Sequence, residues 1–237
     1  MGVGYTTLMY DAATLETGVG DVAACRYDGI EIGLEKIQAV GAETVASLGG
    51  AFLGLLPPQR HRNDDESVEE RLSLVADAAH EAGVIPVLHH HGATHVERPD
   101  EVRRFLDAVD GLKLLFDTAH WYPYGEYFPD GDVTDVVERF SDDIAYVHLK
   151  DVAPTTDFAE NRDALSAPDP HLDNVINYFR TFTDLGDGVI DFGGVYDALR
   201  EAGYDGHYTV EIENRTGKLL VHAKENRDYW RGVANGA

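Results

Sequence analysis

The sequence predicts an α/β fold of the (β/α) TIM-barrel type, formed by residues 1–237 as one domain. Short apolar segments of β character alternate with amphipathic segments of helical character, which is the order of a parallel sheet with crossover helices. A length of 237 residues suits one barrel. No change of composition and no Gly/Ser-rich linker divides the chain, so a single unit is expected.

Seven segments have the apolar character of strands, and an eighth could join them. The seven are 3–10, 29–34, 43–49, 84–91, 112–118, 144–150 and 207–213. The segment AFLGLLPP (51–58) could add a strand, but it follows Gly49-Gly50 too closely for a crossover helix. Because a (β/α)₈ barrel needs eight strands, this pattern predicts a reduced or irregular barrel.

Amphipathic segments between these strands predict helices. The segment SVEERLSLVADAAHEAG begins with Ser67 as a cap, has a glutamate three residues later and stops at Gly83. A later helix is expected to begin near Asp191 and to end at Gly203. The helical segments are 67–83, 98–111, 133–143 and 190–206.

The charge of the chain is strongly negative. Forty-three acidic residues face nineteen basic ones, of which five are lysines, and the net charge is −24. Such a surface repels phosphates, which argues against a nucleic acid partner. The acids are spread along the chain rather than collected in a tail, and this favours adaptation to high salt over an acidic partner-binding segment.

Other features of the sequence indicate where the protein works. No apolar run approaches the roughly 20 residues that span a bilayer, so no membrane partner is expected. The segment MGVGYTTLMYDAATLE lacks the charged and then apolar layout of a signal peptide. Cys25 is the only cysteine, which excludes an intrachain disulfide and favours a reducing, cytoplasmic location.

Polar residues follow four apolar strands, in VLHHHG, LLFDTAH, YVHLKD and VEIEN. In barrels, the active site collects at the carboxyl ends of the strands. Strand side chains alternate, so His89 and His91 share one face and His90 takes the other. The same rule allows a second set of side chains to point inward: Asp117, His148, Lys150, Glu211 and Glu213.

Each of these residues alone has a purely structural interpretation. A histidine at a strand end can be hydrogen-bonded, Asp117 can cap a loop, and Lys150-Asp151 can form an exposed ion pair. Together they favour a metal site, because burying unpaired charges in a barrel mouth costs free energy and a bound cation would pair with the carboxylates. Mixed imidazole and carboxylate ligands suit Mn²⁺, Co²⁺, Fe²⁺ or Zn²⁺ better than Ca²⁺.

The motifs YDGIEIG, HHHGATHVE, LKLLFDTAHW, IAYVHLKD and LGDGVIDFGGVYDALREAGYDGHYTVEIEN resemble the sugar isomerase/epimerase superfamily with the xylose-isomerase-like barrel. The pattern is most similar to inosose dehydratases, and HHHGAT points to that branch. Relative to the family, one βα unit after GIEIG is missing, so the resemblance implies a shortened barrel. The opening could be covered by a second copy of the chain as a homo-oligomer.

The resemblance also implies a divalent metal (Mn, Co, Mg or Zn) and a sugar or cyclitol substrate. Matching motifs place Asp117, His148 and Glu211 at three ligand positions. His89 stands where many members have glutamate, which suggests a metal softer than Mg²⁺. Glu31 and Glu35 lie near the missing unit and could be displaced.

The implied reaction is proton transfer next to a carbonyl group that the metal polarises. A dehydratase then loses a β-hydroxyl, whereas an epimerase returns the proton to the opposite face. His91 and Lys150 are the preferred proton-transfer residues among the candidates, which also include His120 and Glu213. Substrate contacts are expected from His120, Trp121, Glu213 and Glu31. The aromatic residues Trp121, Tyr122, Tyr124 and Phe158 could pack against a substrate ring or could instead cover the core.

Several alternatives remain open at this point. A ketose epimerase or isomerase would exchange a carbon-bound proton with solvent without losing water. A DNA-repair endonuclease of the same superfamily would need more ligands and a basic groove, which the charge of −24 opposes. A non-catalytic barrel that has lost the site would bind no metal. A nicotinamide or flavin cofactor is not expected, because no GxGxxG follows a strand.

Dense carboxylates should make the stability of the protein depend on salt. Screening reduces repulsion between surface acids, so we expect the melting temperature to rise on the order of 10 °C from dilute buffer to molar KCl, since each kcal/mol shifts it by about 2–4 °C. Circular dichroism melting curves at increasing KCl check this, with an uncharged osmolyte as control. A melting temperature that stays flat or falls would contradict it.

Overall fold

The computed structural model describes residues 2–33, 36, 52–58, 65–92, 94–123, 132–165, 167, 171–213 and 217–236. In these parts of the chain the strands are β1 (Val3–Thr6), β2 (Gly29–Glu31), β3 (Phe52–Leu55), β4 (Ile85–His89), β5 (Lys113–Asp117), β6 (Ile144–Leu149), β7 (Asp151–Val152), β8 (Phe182–Thr183) and β9 (Tyr208–Val210). The predicted strand 43–49 and the residues Glu35 and Tyr124 lie outside the described residues.

Seven of these strands form one parallel sheet in the order β2-β1-β9-β6-β5-β4-β3. The sheet is curled, with helices packed outside it, and β2 and β3 form its two edges. In a closed barrel those edges would meet. The predicted α/β barrel is therefore confirmed, and its form is consistent with the predicted shortening.

The possible strand in 51–58 is present in the sheet. Phe52 to Leu55 pair in parallel with Ile85 to Leu88, so β3 is a full member of the sheet. The crossover between β3 and β4 passes through the helix at 65–81. What precedes β3 lies outside the described residues, so its short distance from Gly49-Gly50 does not exclude the pairing.

The helices in the described part of the chain are α1 (Leu15–Ala24), α2 (Asp65–Glu81), α3 (Pro99–Ala108), α4 (Thr118–Trp121), α5 (Thr134–Phe140), α6 (Phe158–Leu165), α7 (Leu172–Phe179), α8 (Phe192–Glu201) and α9 (Leu219–Gly236). The four predicted helices correspond to α2, α3, α5 and α8. Asp191 caps α8 by accepting a hydrogen bond from the Gly194 amide. Ser67 is not a cap, because α2 begins at Asp65 and the Ser67 hydroxyl accepts from Arg71. No helix of the described residues is both long enough and apolar enough to cross a membrane.

The last helix, α9, closes one side of the core. Trp230 is fully buried, and its ring lies 4.9 Å from the ring of Tyr208 on β9. Asn226 on the same helix accepts a hydrogen bond from the Leu185 amide. The helix thus binds both the central sheet and the loop that follows β8.

Between β6 and β9 the chain leaves the sheet. β7 pairs antiparallel with β8, and α6 and α7 lie between them in sequence. Because β7 directly follows the carboxyl end of β6, this excursion starts at the end of the sheet where the polar residues gather. The sequence analysis predicted neither the short strands nor the two helices.

Asp151 fastens the loop after β8 to the end of β6. Its carboxylate is completely buried and accepts hydrogen bonds from the amides of Val152, Gly186, Gly188 and Ile190, at 2.8–3.1 Å. A Cβ atom at Gly188 would lie 2.3 Å from the Asp151 carboxylate, so the loop needs glycine there. The exposed Lys150-Asp151 ion pair considered above is therefore not formed.

Replacing Asp151 with asparagine should destabilise the fold. Asp151→Asn puts an amide NH₂ against backbone N–H donors, and a buried donor left without an acceptor gives an expected loss of about 3 kcal/mol. In a chain of this length that lowers the melting temperature by about 6–12 °C. Asp187→Asn, at an exposed position in the same loop, is the matched control. Equal melting temperatures for the two variants would contradict the role of Asp151.

Candidate metal centre

Neighbouring strand ends bring four polar side chains together. His89 ends β4, Asp117 ends β5, His148 lies near the end of β6, and Glu211 follows β9. Asp117 and His148 are direct partners in the β5–β6 register. Since the four strands are consecutive in the sheet, parallel pairing alone gathers these residues at one edge.

The four side chains each present one possible ligand atom to the same point. The atoms lie within 4.8 Å of one another. His89 Nε2 is 3.5 Å from Asp117 Oδ2, and His148 Nδ1 is 3.7 Å from Asp117 Oδ2 and 3.3 Å from Glu211 Oε2. All four atoms are buried, and apart from the Lys150 ammonium beside the two carboxylate oxygens they have no hydrogen-bond partner. Burying two imidazole nitrogens and two carboxylate oxygens against one another costs free energy, and a shared cation would satisfy all four atoms together.

Glu31 completes the environment of His148. The Glu31 carboxylate lies 2.8 Å from His148 Nε2. When Nε2 carries the proton and donates it to Glu31, the lone pair of Nδ1 faces the other three ligand atoms. Histidines that bind metals in proteins commonly donate their second N–H to a carboxylate in this way. The structure therefore brings Glu31 to the site, beside His148.

Lys150 lies inside the same group of acids. Its ammonium contacts Glu211, lies 3.4 Å from Asp117 and is 2.6 Å from Glu213. Burial alone would lower the pKa of Lys150, but the three surrounding carboxylates raise it well above its usual value. Burial opposes ionisation of Asp117 as well, yet Lys150 and the nearby histidines hold its pKa well below the usual range. The lysine is therefore a buried ammonium among carboxylates.

His148 and the second glutamate respond to the same surroundings. Burial would lower the pKa of His148, but Glu31 and Glu211 raise it well above its usual value. Burial raises the pKa of Glu213, and Lys150 opposes that rise. The site thus combines positive and negative groups that depend on each other for ionisation.

His91 and His120 form a second layer beside the ligand atoms. Their rings are 4.1 Å apart, and His120 Nε2 is 3.3 Å from the Lys150 ammonium. Burial and the neighbouring His89 lower the pKa of His91 to about 4, so this ring is neutral at physiological pH. His91 Nδ1 lies 3.1 Å from the Gly92 carbonyl, and donation there leaves Nε2 able to accept a proton.

His90 and Trp121 lie on the other side of the strand end. Their rings are stacked at 4.0 Å, and both side chains are fully buried. Burial lowers the pKa of His90 to about 3. The Trp121 ring also packs 5.4 Å from Phe140, so it belongs to the core and offers no face to a substrate in this structure. The short helix α4 turns it inward from the loop position that the sequence suggested.

Aromatic residues from the excursion cover the histidine layer. The Phe179 ring on α7 lies 5.3 Å from His91, and the Phe182 ring on β8 lies 5.3 Å from His120 and 4.9 Å from the Lys150 ammonium. Sequence reasoning missed this aromatic cover, although LDNVINYF at 172–179 has a helical apolar pattern that would have revealed α7. Phe158 is buried in α6 and packs against Tyr122 and Tyr178 instead.

Among proteins of known name, relatives similar in sequence to this chain are named inosose dehydratase. Inosose dehydratase of Lacticaseibacillus casei is 36% identical over 193 residues, covering 77% of this chain and 61% of the relative. Inosose dehydratase of Klebsiella pneumoniae (strain 342) is 36% identical over 195 residues, covering 81% of this chain and 62% of the relative. The chain therefore spans about three fifths of the length of these curated relatives.

Solved structures share the fold at low sequence identity. A D-tagatose 3-epimerase-like protein superposes with a TM-score of 0.67 at 16% identity, over 99% of this chain and 97% of that one. L-ribulose 3-epimerase superposes with a TM-score of 0.66 at 16% identity, over 99% and 96%. The family described as "Xylose isomerase-like TIM barrel" matches residues 23–233. The chain belongs to the xylose isomerase-like TIM barrel family.

Proposed function

We propose that this chain is a divalent-metal-dependent dehydratase of a keto-cyclitol or keto-sugar, of the inosose dehydratase type. One observation carries the proposal: the buried ligand atoms of His89, Asp117, His148 and Glu211 converge within 4.8 Å of one another, where a single cation could satisfy all four. The name of the curated relatives supports the substrate class. A ketose epimerase is the second candidate, because two possible proton-transfer groups, His91 and the Lys150–Glu213 pair, flank the ligand atoms.

The donor set favours particular metals. Two imidazole nitrogens and two carboxylate oxygens fit Mn²⁺, Co²⁺ or Zn²⁺ better than Mg²⁺, which prefers oxygen ligands. When bound, such an ion supplies Lewis acidity that makes a C–H bond beside a substrate carbonyl more acidic. Glu31 would orient His148 for this role through the hydrogen bond to Nε2.

The proposed proton transfers use the two residues that the sequence favoured. His91 is half-buried and neutral, so its Nε2 can take the proton from the carbon beside the carbonyl. Lys150 carries a proton beside the ligand atoms, and a metal ion bound to Asp117 and Glu211 would lower the pKa of this ammonium so that it could give the proton to the departing β-hydroxyl. His120 and Glu213, both in contact with Lys150, would position its ammonium group. Phe179 and Phe182 would exclude water from the histidine layer.

Metal content is the first test of the proposed site. Protein purified in molar salt should contain about one divalent ion per chain, and Asp117→Ala and His148→Ala should each lose it, because removal of one ligand of a mixed site weakens binding strongly. Elemental analysis after dialysis against Mn²⁺, Co²⁺ or Zn²⁺ measures this. His80→Ala, which removes an exposed histidine of α2, is the control. No bound metal in the unmodified protein would favour the non-catalytic barrel.

The reaction is tested with inosose in D₂O. Nuclear magnetic resonance should show loss of water from the substrate, whereas deuterium incorporation without loss of water would support the epimerase instead. His91→Gln should slow the reaction by about 10²–10⁴-fold and keep the metal, since it removes the proposed base without removing a ligand. His90→Gln, one residue away, should change the rate only slightly. Similar rates for the two variants would contradict the role of His91.

A further inference from the structure

A cavity with a basic lining lies at the other end of the barrel. Its volume is about 340 Å³, and it opens between the end of α1 and the part of α9 from Leu220 to Arg231. Its wall holds four basic residues, Arg26, Lys224, Arg227 and Arg231, and is otherwise apolar. The whole chain has nineteen basic residues against forty-three acids, so four in one cavity is a strong local concentration of positive charge.

This basic cavity is separate from the candidate metal centre. Arg26 follows α1 and precedes the amino end of β2, whereas His89, Asp117, His148 and Glu211 lie at carboxyl strand ends. In a parallel sheet these ends point in opposite directions. A ligand in the cavity would therefore not touch the metal centre.

Part of the basic lining has structural partners. Arg227 donates to the Cys25 carbonyl and Arg231 donates to the Arg26 carbonyl at 2.9 Å, so both arginines satisfy carbonyls just past the end of α1. Lys224 and Arg227 also share the carboxylate of Asp228, at 2.7 and 2.5 Å. These contacts hold the arginine and lysine side chains in place around the cavity.

The acids nearby do not balance the basic charge. Asp228 and Asp21, whose carboxylate accepts from the Tyr10 hydroxyl, are two carboxylates against four cations. Within the described part of the chain, Arg26 and Arg231 have no carboxylate within ion-pairing distance. The cavity therefore keeps an excess of positive charge in a molecule whose net charge is −24.

We propose that this cavity binds a phosphate group, either free or carried by a small phosphoester. Guanidinium groups match the geometry of tetrahedral oxyanions through paired N–H donors, and lysine adds a mobile charge. The apolar part of the wall and the volume of about 340 Å³ leave room for an organic portion beside the phosphate. The acidic surface repels anions at long range, so affinity for phosphate has to come from this local cluster.

A substitution of Arg26 can test phosphate binding without destabilising the fold. The Arg26 backbone has a φ of +58°, a left-handed conformation that glycine adopts without strain. Arg26→Gly therefore removes a cation of the cavity and relieves the backbone at the same position. Its melting temperature should equal or exceed that of the unmodified protein.

Calorimetric titration of the full chain with inorganic phosphate, and separately with glycerol phosphate, tests the proposal. The titrations use the lowest KCl concentration at which the circular dichroism spectrum is native. We expect saturable binding that Arg26→Gly weakens about tenfold, the effect of losing a charged hydrogen-bonding partner. Asp228→Asn should tighten binding about threefold by removing the competing carboxylate, and unfolding cannot cause such a gain.

Arg104→Ala serves as the matched control, because Arg104 is an exposed arginine of α3 paired with Glu69 away from the cavity. Its affinity for phosphate should equal that of the unmodified protein. Tighter binding of glycerol phosphate than of phosphate would identify a phosphoester, and equal binding would identify free phosphate. Absence of saturable binding, or equal weakening by Arg26→Gly and Arg104→Ala, would overturn the proposal.

Discussion

Burial of acidic groups at the carboxyl end of the sheet is the constraint on which the rest of this site depends. Asp117 and Glu211 are almost completely removed from water, and a buried carboxylate is tolerated only with a cation or hydrogen-bond donors beside it. The chain supplies Lys150 and His148 as such partners. Each of these side chains keeps its charge because the others keep theirs, so they are expected to act as one electrostatic unit.

The fold holds this unit in place from two directions. Consecutive parallel strands set the spacing of His89, Asp117 and His148, because their register is fixed by backbone hydrogen bonds. Asp151 then ties the loop after β8 to the end of β6, next to Lys150. A charged cluster gains from such rigidity, since a lysine that moved away would leave buried carboxylates unpaired.

The residues of the candidate site at strand ends could be predicted from the sequence more fully than those on loops and short helices. Alternation along a strand is local, so polar residues such as Asp117 and His148 at apolar strand ends could be assigned to one edge without knowing the whole fold. The hydrogen bonds of Asp151 join residues about 35 positions apart, so no local periodicity of the sequence indicates them. Trp121 was placed on an exposed loop because a four-residue helix is too short to show a period, and that helix turns the ring into the core.

The position of Glu213 bears on how Lys150 and a metal ion could share the site. Lys150 contacts Asp117 and Glu211, two of the four side chains that offer ligand atoms, so a divalent ion and the ammonium compete for the same oxygens. Glu213 offers the ammonium a further carboxylate at 2.6 Å. The lysine can therefore yield both ligand oxygens and remain a paired cation. With only Asp117 and Glu211 present, binding of the ion would leave the buried ammonium without a carboxylate. The second glutamate, two residues further along the chain after β9, prevents that loss.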